Sequence, residues 1–258
     1  MMAAGLHGRT ALLTAAARGI GLGSALRLAA DGASVWITDR DAQALRQAGD
    51  QAAAAGVALR TLEADCTDPA SIRAAVAAAH DADGRLDILV NNAGGSLHTP
   101  YAFEQESDED WQRVLDLNVL GAVWACRAAL PYLRVAGAGR IINFGSKAGR
   151  YGSLIAGANY AAAKGAIAAL TRQLAMEFGP HGITVNCVCP GVVLTERTRG
   201  LWESRRTPAE RERVLQDIPL RRHATVDDIS GVVAFLASDD AAFVSGITLD
   251  VNGGQAMA

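Results

Sequence analysis

Thr10-Ala11-Leu12-Leu13-Thr14-Ala15-Ala16-Ala17-Arg18-Gly19-Ile20-Gly21-Leu22-Gly23 is the stretch that decides the fold. A short apolar strand, Thr10–Leu13, ends in small residues and glycines, and a segment of helical period, Gly21–Ala30, follows at once. Glycines at a strand-to-helix turn let backbone amides and the helix N-terminus approach a pyrophosphate. The spacing is not Gly-x-Gly-x-x-Gly, so on these residues alone a tight turn with close helix packing remains open.

Outward from that turn the same alternation repeats. Strands are expected at Ser34–Thr38, Ala58–Leu62, Leu86–Asn91, Arg140–Asn143, Thr184–Val188 and Thr248–Val251. Helices are expected at Ala42–Ala55, Ala70–His80, Glu109–Leu133, Asn159–Phe178 and Val226–Ala237. Strands separated by helices imply βαβ crossovers and a parallel sheet covered on both faces. Burial on both faces explains why Ile88-Leu89-Val90 and Ile141-Ile142 are continuous rather than alternating. The expectation is an α/β fold: one Rossmann-like, doubly wound domain over residues 1–258, with seven parallel strands. The long irregular stretch from Val192 to about Pro219 reads as a lid over a site.

Composition narrows the function classes. Half of the 258 residues are apolar and the formal net charge is −3, which gives no electrostatic footprint for nucleic acid. Cys187 and Cys189 are read as pointing to opposite faces of a strand, with no histidine pair near them, so no zinc site is expected. Buried free thiols in a reducing compartment are the better reading of Cys66, Cys126, Cys187 and Cys189. No signal-peptide core and no 18-residue apolar run are seen, so the expected place is the cytoplasm, with no membrane partner.

Chemistry concentrates around Tyr160-Ala-Ala-Ala-Lys164. Four residues apart on a helix, the two side chains share one face. A tyrosine is a poor base at neutral pH, with a pKa near ~10. A lysine cation and the positive ring of an oxidised nicotinamide would each lower it, so that Tyr160 can exchange a proton with an alcohol or ketone as hydride moves. Ser146, at the end of the fifth strand, can hydrogen-bond the same substrate oxygen. Asp39 ends the second strand 18 residues beyond Gly21, where a carboxylate accepts from adenosine ribose hydroxyls and repels a 2′-phosphate. That favours NAD over NADP, although Arg18 and Arg40 would suit the phosphate.

Together, Thr14-x-x-x-Arg18-Gly19-Ile20-Gly21, Asn91-Asn92-Ala93-Gly94, Ser146, Tyr160-x-x-x-Lys164 and Pro190-Gly191 resemble the short-chain dehydrogenase/reductase family, from about Gly8 to Gly254. The resemblance implies an oxidoreductase interconverting a secondary alcohol and a ketone, with Asn118 completing a catalytic set of Asn118, Ser146, Tyr160 and Lys164. It implies cofactor contacts from Thr14, Arg18, Gly19, Ile20, Gly21, Asp39, Arg40, Asp65, Cys66, Asn92, Ala93, Gly94, Tyr160, Lys164, Pro190, Gly191, Val193 and Thr195, and no metal. It also implies a homotetramer, with the Glu109–Leu133 and Asn159–Phe178 helices packed across one interface. A secondary-alcohol dehydrogenase is favoured, a 3-oxoacyl-thioester reductase is the alternative, and a catalytically quiet subunit is the remote one.

Two positions depart from the family pattern. Ala15 and Arg221 stand where glycines are usual. If position 15 needs positive φ, alanine there is strained by about 1 kcal/mol and cofactor binding is weakened rather than lost. In the lid, Arg197, Arg199, Arg205, Arg206, Arg211 and Arg213 face Glu196, Glu203, Glu210 and Glu212, and the excess would suit an acidic or thioester substrate. An exposed helix from about Pro208 to Asp217 is the plainer reading of those charges. Leu97, His98, Tyr101, Leu154, Ile155 and Trp202 are candidates to line an apolar or aromatic substrate pocket.

Overall fold

The computed structural model describes residues 5–153, 156–195, 198–200, 202 and 207–257. Its centre is a seven-stranded sheet, ordered β3-β2-β1-β4-β5-β6-β7 and parallel throughout. The strands are β1 (Thr10–Leu13), β2 (Ser34–Asp39), β3 (Arg60–Glu63), β4 (Ile88–Asn91), β5 (Arg140–Phe144), β6 (Thr184–Pro190) and β7 (Thr248–Val251). The helices are α1 (Gly19–Ala30), α2 (Ala42–Ala54), α3 (Pro69–Asp83), α4 (Asp108–Leu115), α5 (Gly121–Ala136), α6 (Ala148–Tyr151), α7 (Ala158–Phe178), α8 (Pro208–Gln216) and α9 (Val226–Ala237).

Alternation along the strands feeds two cores at once. Leu13, Ile37, Val90, Ile142 and Val188 face a cluster under α1 and α9, while Leu12, Trp36, Leu89, Ile141 and Val185 face one under α3 and α5. Each fully buried aliphatic contributes roughly 1.5–3 kcal/mol, so a polar residue on either face would be costly. The order of strands reverses between β1 and β4, which opens a crevice at their carboxyl ends.

Several boundaries differ from expectation, each for a tertiary reason. β3 begins at Arg60 rather than Ala58, because an edge strand is defined by pairing with Trp36–Asp39 of β2 and not by its own apolar run. β6 runs on to Pro190, since Cys189 and Pro190 pair with Asp250 and Val251. The expected single helix Glu109–Leu133 is two α-helices joined by a π turn, Asp116–Leu120. An 18-residue window within the Asp108–Ala136 run meets the length and mean hydropathy of a membrane span. The run's inner face, including Val114, Ala125, Cys126, Ala129 and Leu133, is buried in the globule.

Within the expected lid, α8 is a helix started by a Thr207/Glu210 capping box with Pro208 in its first turn. No α8 side chain is buried, in keeping with a solvated charged helix. Leu154, Ile155, Glu196, Arg197, Glu203, Arg205 and Arg206 fall outside the described residues.

Cys187 and Cys189 share a face rather than opposing one another. Residues two apart in a strand point the same way, and the two sulfurs lie 3.8 Å apart. They press on Gly145, where a Cβ would stand 2.5 and 2.7 Å from them.

Candidate active site

The turn after β1 and the turn after β4 are built as one unit. Thr14 Oγ1 accepts from the amides of Asn92 and Ala93 at 3.1 and 3.2 Å. Asn92 Nδ2 donates back to the carbonyls of Thr14 and Ala15 at 3.1 and 2.7 Å. Gly21 lies against this lock: a Cβ there would sit 2.5 Å from Asn92 Nδ2, so glycine at position 21 is a packing requirement. Helix α1 has no side-chain cap, whereas Asp41 and Asp68 cap α2 and α3. An uncapped helix start at the switch point fits an anionic pyrophosphate. Across the crevice Thr195 reaches Gly19, its methyl 3.3 Å from where a Cβ would be.

At the end of the crevice where the sequence leads us to expect adenosine, β2 delivers Asp39, which accepts from the Asp41 amide at 3.1 Å. Arg18 pairs with Asp41 at 2.5 Å. Asp65 accepts from the amide and hydroxyl of Thr67 at 2.8 and 2.7 Å. Those bonds, with Arg40 nearby, outweigh burial and hold its carboxyl below the usual range. Cys66 is buried beside Ala15, and burial pushes its thiol up to about 12.

The catalytic candidates lie one strand further along. Lys164 is 4% exposed, and its Nζ donates to the Phe144 carbonyl at 2.7 Å. The same ammonium lies 5.8 Å from the centre of the Tyr160 ring. Burial lowers the lysine from 10.5 to about 8, against the opposing influence of the Cys187 and Cys189 thiols. Gly94 touches it so closely that a Cβ would stand 2.7 Å from both Lys164 Nζ and Asn118 Oδ1. Asn118, in the π turn, divides its amide between the loop and α4: Oδ1 accepts from Gly95 N at 3.0 Å, while Nδ2 donates to Gly95 O and Val114 O at 2.9 and 2.8 Å. Ser146 is half-buried between β5 and α6, and its Oγ accepts from the Ala148 amide at 3.1 Å. The next residue, Lys147, donates its amide to Pro190, which leads into Gly191 and the buried Val193.

Sequence reasoning passed over several supports. A buried ladder runs from Asn91 Nδ2 to Asn143 Oδ1 (2.8 Å) and from Asn143 Nδ2 to Thr171 Oγ1 (2.9 Å), tying α7 to the sheet two turns beyond Lys164. Asn159, fully buried, accepts from the Tyr160 amide at 2.6 Å and meets Thr99 Oγ1 at 3.3 Å. The only signal for either was an uncharged polar residue inside an otherwise apolar segment.

A family model described as enoyl-(acyl carrier protein) reductase matches residues 14–256. Galactitol 2-dehydrogenase of Agrobacterium fabrum is 38% identical over 259 residues, covering 98% of this chain and 99% of the relative. The 3-oxoacyl-[acyl-carrier-protein] reductase of Escherichia coli is 37% identical over 251 residues, covering 97% and 98%. A solved short-chain type dehydrogenase/reductase from Mycobacterium ulcerans superposes with a TM-score of 0.90 at 32% identity, covering 97% of this chain and 90% of that one. The chain is a short-chain dehydrogenase/reductase. It is an NAD(P)-dependent oxidoreductase that interconverts CH–OH and C=O groups.

Both departures of this dehydrogenase from the family's glycines fall at left-handed backbone: Ala15 has φ 49° and Arg221 has φ 56°. Each carries a Cβ penalty of roughly 1–2 kcal/mol. Ala15 is held there by its neighbours, its amide donating to Thr38 Oγ1 at 3.3 Å and that of Ala16 to Thr38 O at 2.8 Å. Leu97 and His98 are also left-handed, at 50° and 60°, in the loop that follows Gly94. Strain of this kind collects at sites where the surroundings over-determine the backbone.

Proposed function

We propose that this dehydrogenase oxidises a secondary alcohol, or reduces the matching ketone, with Tyr160 as general acid/base and NAD as the preferred cofactor. The observation that carries the reading is the dehydrated Lys164 ammonium beside the Tyr160 ring. A cation there favours the phenolate and so brings the tyrosine towards working pH. Ser146 Oγ then steadies the substrate oxygen, and Asn118 fixes the loop that borders the reacting centre. The bound nicotinamide supplies or accepts the hydride.

Thr14, Arg18, Gly19, Ile20 and Gly21 would hold the pyrophosphate end, and Asp39, Arg40, Asp65 and Cys66 the adenosine end. Asn92, Ala93, Gly94, Pro190, Gly191, Val193 and Thr195 would flank the nicotinamide. Asp39 supports NAD, since a half-buried carboxylate at the end of β2 repels a 2′-phosphate. Reduction of a 3-oxoacyl thioester is the second reading, supported by the Escherichia coli relative's nearly equal identity and coverage. We read residues 1–258 as one domain with a lid over about 192–219, active in the cytoplasm as a homotetramer. Exposed Leu120, Val135 and Met176 on the π turn, α5 and α7 supply apolar surface for such contacts.

A panel of ketones and alcohols, assayed with NADH and NADPH or their oxidised forms, tests this reading. Tyr160→Phe should lower turnover by about 10²–10⁴-fold while NADH still binds with saturable fluorescence. Undiminished turnover would remove Tyr160 from the chemistry. A strong preference for NADPH would remove Asp39 as selector, and no saturable NADH binding would favour a quiet subunit.

A further inference from the structure

Helix α7 carries both Tyr160 and Lys164, yet it begins on Gly157, which has no side chain to cap it. The cap comes from elsewhere in the chain. The carboxylate of Glu106 lies over the helix start, with Oε2 and Oε1 accepting from the Asn159 amide at 3.2 and 3.4 Å. A Cβ at position 157 would collide with Glu106 Oε1 and would stand 2.7 Å from the Pro100 carbonyl, so the glycine makes room for the carboxylate. Next to it, Asn159 Oδ1 takes the Tyr160 amide. Asn159 is in turn held by Thr99 Oγ1, which donates to Ser96 O at 3.0 Å. One first-turn amide of the catalytic helix, that of Asn159, is therefore satisfied from the segment that follows Gly94, and a second, that of Tyr160, by an Asn159 side chain that the same segment holds.

We infer that Glu106 is a positioning residue: a cap supplied in trans that fixes the first turn of α7 and ties Tyr160 to the loop of residues 95–106. A carboxylate suits the task because helix N-termini carry partial positive charge and unsatisfied amides. Glu106 directly precedes Ser107, the cap of α4, so the same corner also anchors the helix leading to Asn118. Movement of the 95–106 loop is thereby transmitted to the tyrosine through two hydrogen-bonded side chains, without touching the cofactor crevice. The inference rests on the reading of Tyr160 as acid/base, and its primary test does not need that reading.

Hydrogen exchange of the peptide covering residues 157–162 is compared in the native protein, Glu106→Ala, Glu106→Gln and Tyr160→Phe. The alanine variant should exchange about tenfold faster in that peptide. Its kcat should fall about tenfold on the panel compound turned over fastest, with KM for NADH within about twofold, because a misplaced tyrosine affects the chemical step and not cofactor capture. Glutamine keeps an acceptor oxygen and should restore most of both. Native exchange in Glu106→Ala, a glutamine variant as impaired as the alanine one, or loss of NADH binding along with kcat would each overturn the inference. Tyr160→Phe removes no cap and should exchange as the native protein does. If it keeps full turnover while Glu106→Ala still loosens the peptide, the acid/base reading fails and the cap stands.

Discussion

Lys164 pays for its position with water. Buried to 4% exposure, its pKa falls from 10.5 to about 8 before any cofactor is present. A base whose folded pKa lies below its unfolded one destabilises the fold while both states are protonated, below about pH 8. That deficit is recovered as pH rises from about 8 towards 10.5. Lys164→Met removes this pH dependence, so its stability gain over the parent should be largest near pH 7 and should shrink by an amount on the order of 3 kcal/mol as the pH is raised through that window, on top of a pH-independent cost for the Phe144 carbonyl left without its donor. Urea midpoints at several pH values measure it, and a gain independent of pH would be the contrary result. The sequence displayed Tyr160 and Lys164 plainly, because four-residue spacing on a helix is legible. It displayed the missing glycines at 15 and 221 as well, but whether they mattered depended on φ, which only the neighbours of Ala15 and Arg221 determine.

At the scale of elements, helical period reads straight through residues 108–136 because one inserted residue does not disturb an apolar stripe enough to be noticed. The π turn at Asp116–Leu120 is that insertion, and π turns of this sort recur at functional sites. It places the Asn118 amide against Gly95 and the Val114 carbonyl. Asn118→Leu removes three hydrogen bonds to part-buried and buried backbone groups, and should destabilise the fold by about 2–3 kcal/mol in guanidinium unfolding, with a change below about 1 kcal/mol contradicting the clamp. The trans cap on α7 was beyond sequence reasoning for a different reason. Glu106 and Asn159 are 53 residues apart, and nothing local links a carboxylate in one loop to a helix that starts on glycine. The face shared by Cys187 and Cys189, by contrast, follows from strand geometry alone and was legible.

Across the whole molecule the parallel sheet and its covering helices were readable because continuous apolar runs between helices admit few other arrangements. Strand ends were less readable, since they depend on partners. One carboxylate joins three strands at the edge opposite the crevice: Asp83 accepts from Thr10 Oγ1 (3.1 Å), Ser34 Oγ (2.6 Å), Trp36 Nε1 (3.2 Å) and Arg60. Burial raises its pKa, but those donors together hold it below the ordinary value. Asp83→Ala should cost about 3 kcal/mol in chemical unfolding while leaving NADH affinity unchanged, and a matching loss of affinity would show that the two ends of the sheet are not independent. The buried thiols have a further consequence. All four cysteines are free and buried, and burial holds Cys66 and Cys126 at about 12, so neither is a thiolate in the folded chain. They are spread from the β3–α3 connection through α5 to β6, on both sides of the reversal in strand order. Cys66, Cys126 and the adjacent Cys187/Cys189 pair thus each mark, by reacting with an alkylating reagent, a separate part of the globule coming open, so the molecule carries its own three-point record of where it breathes.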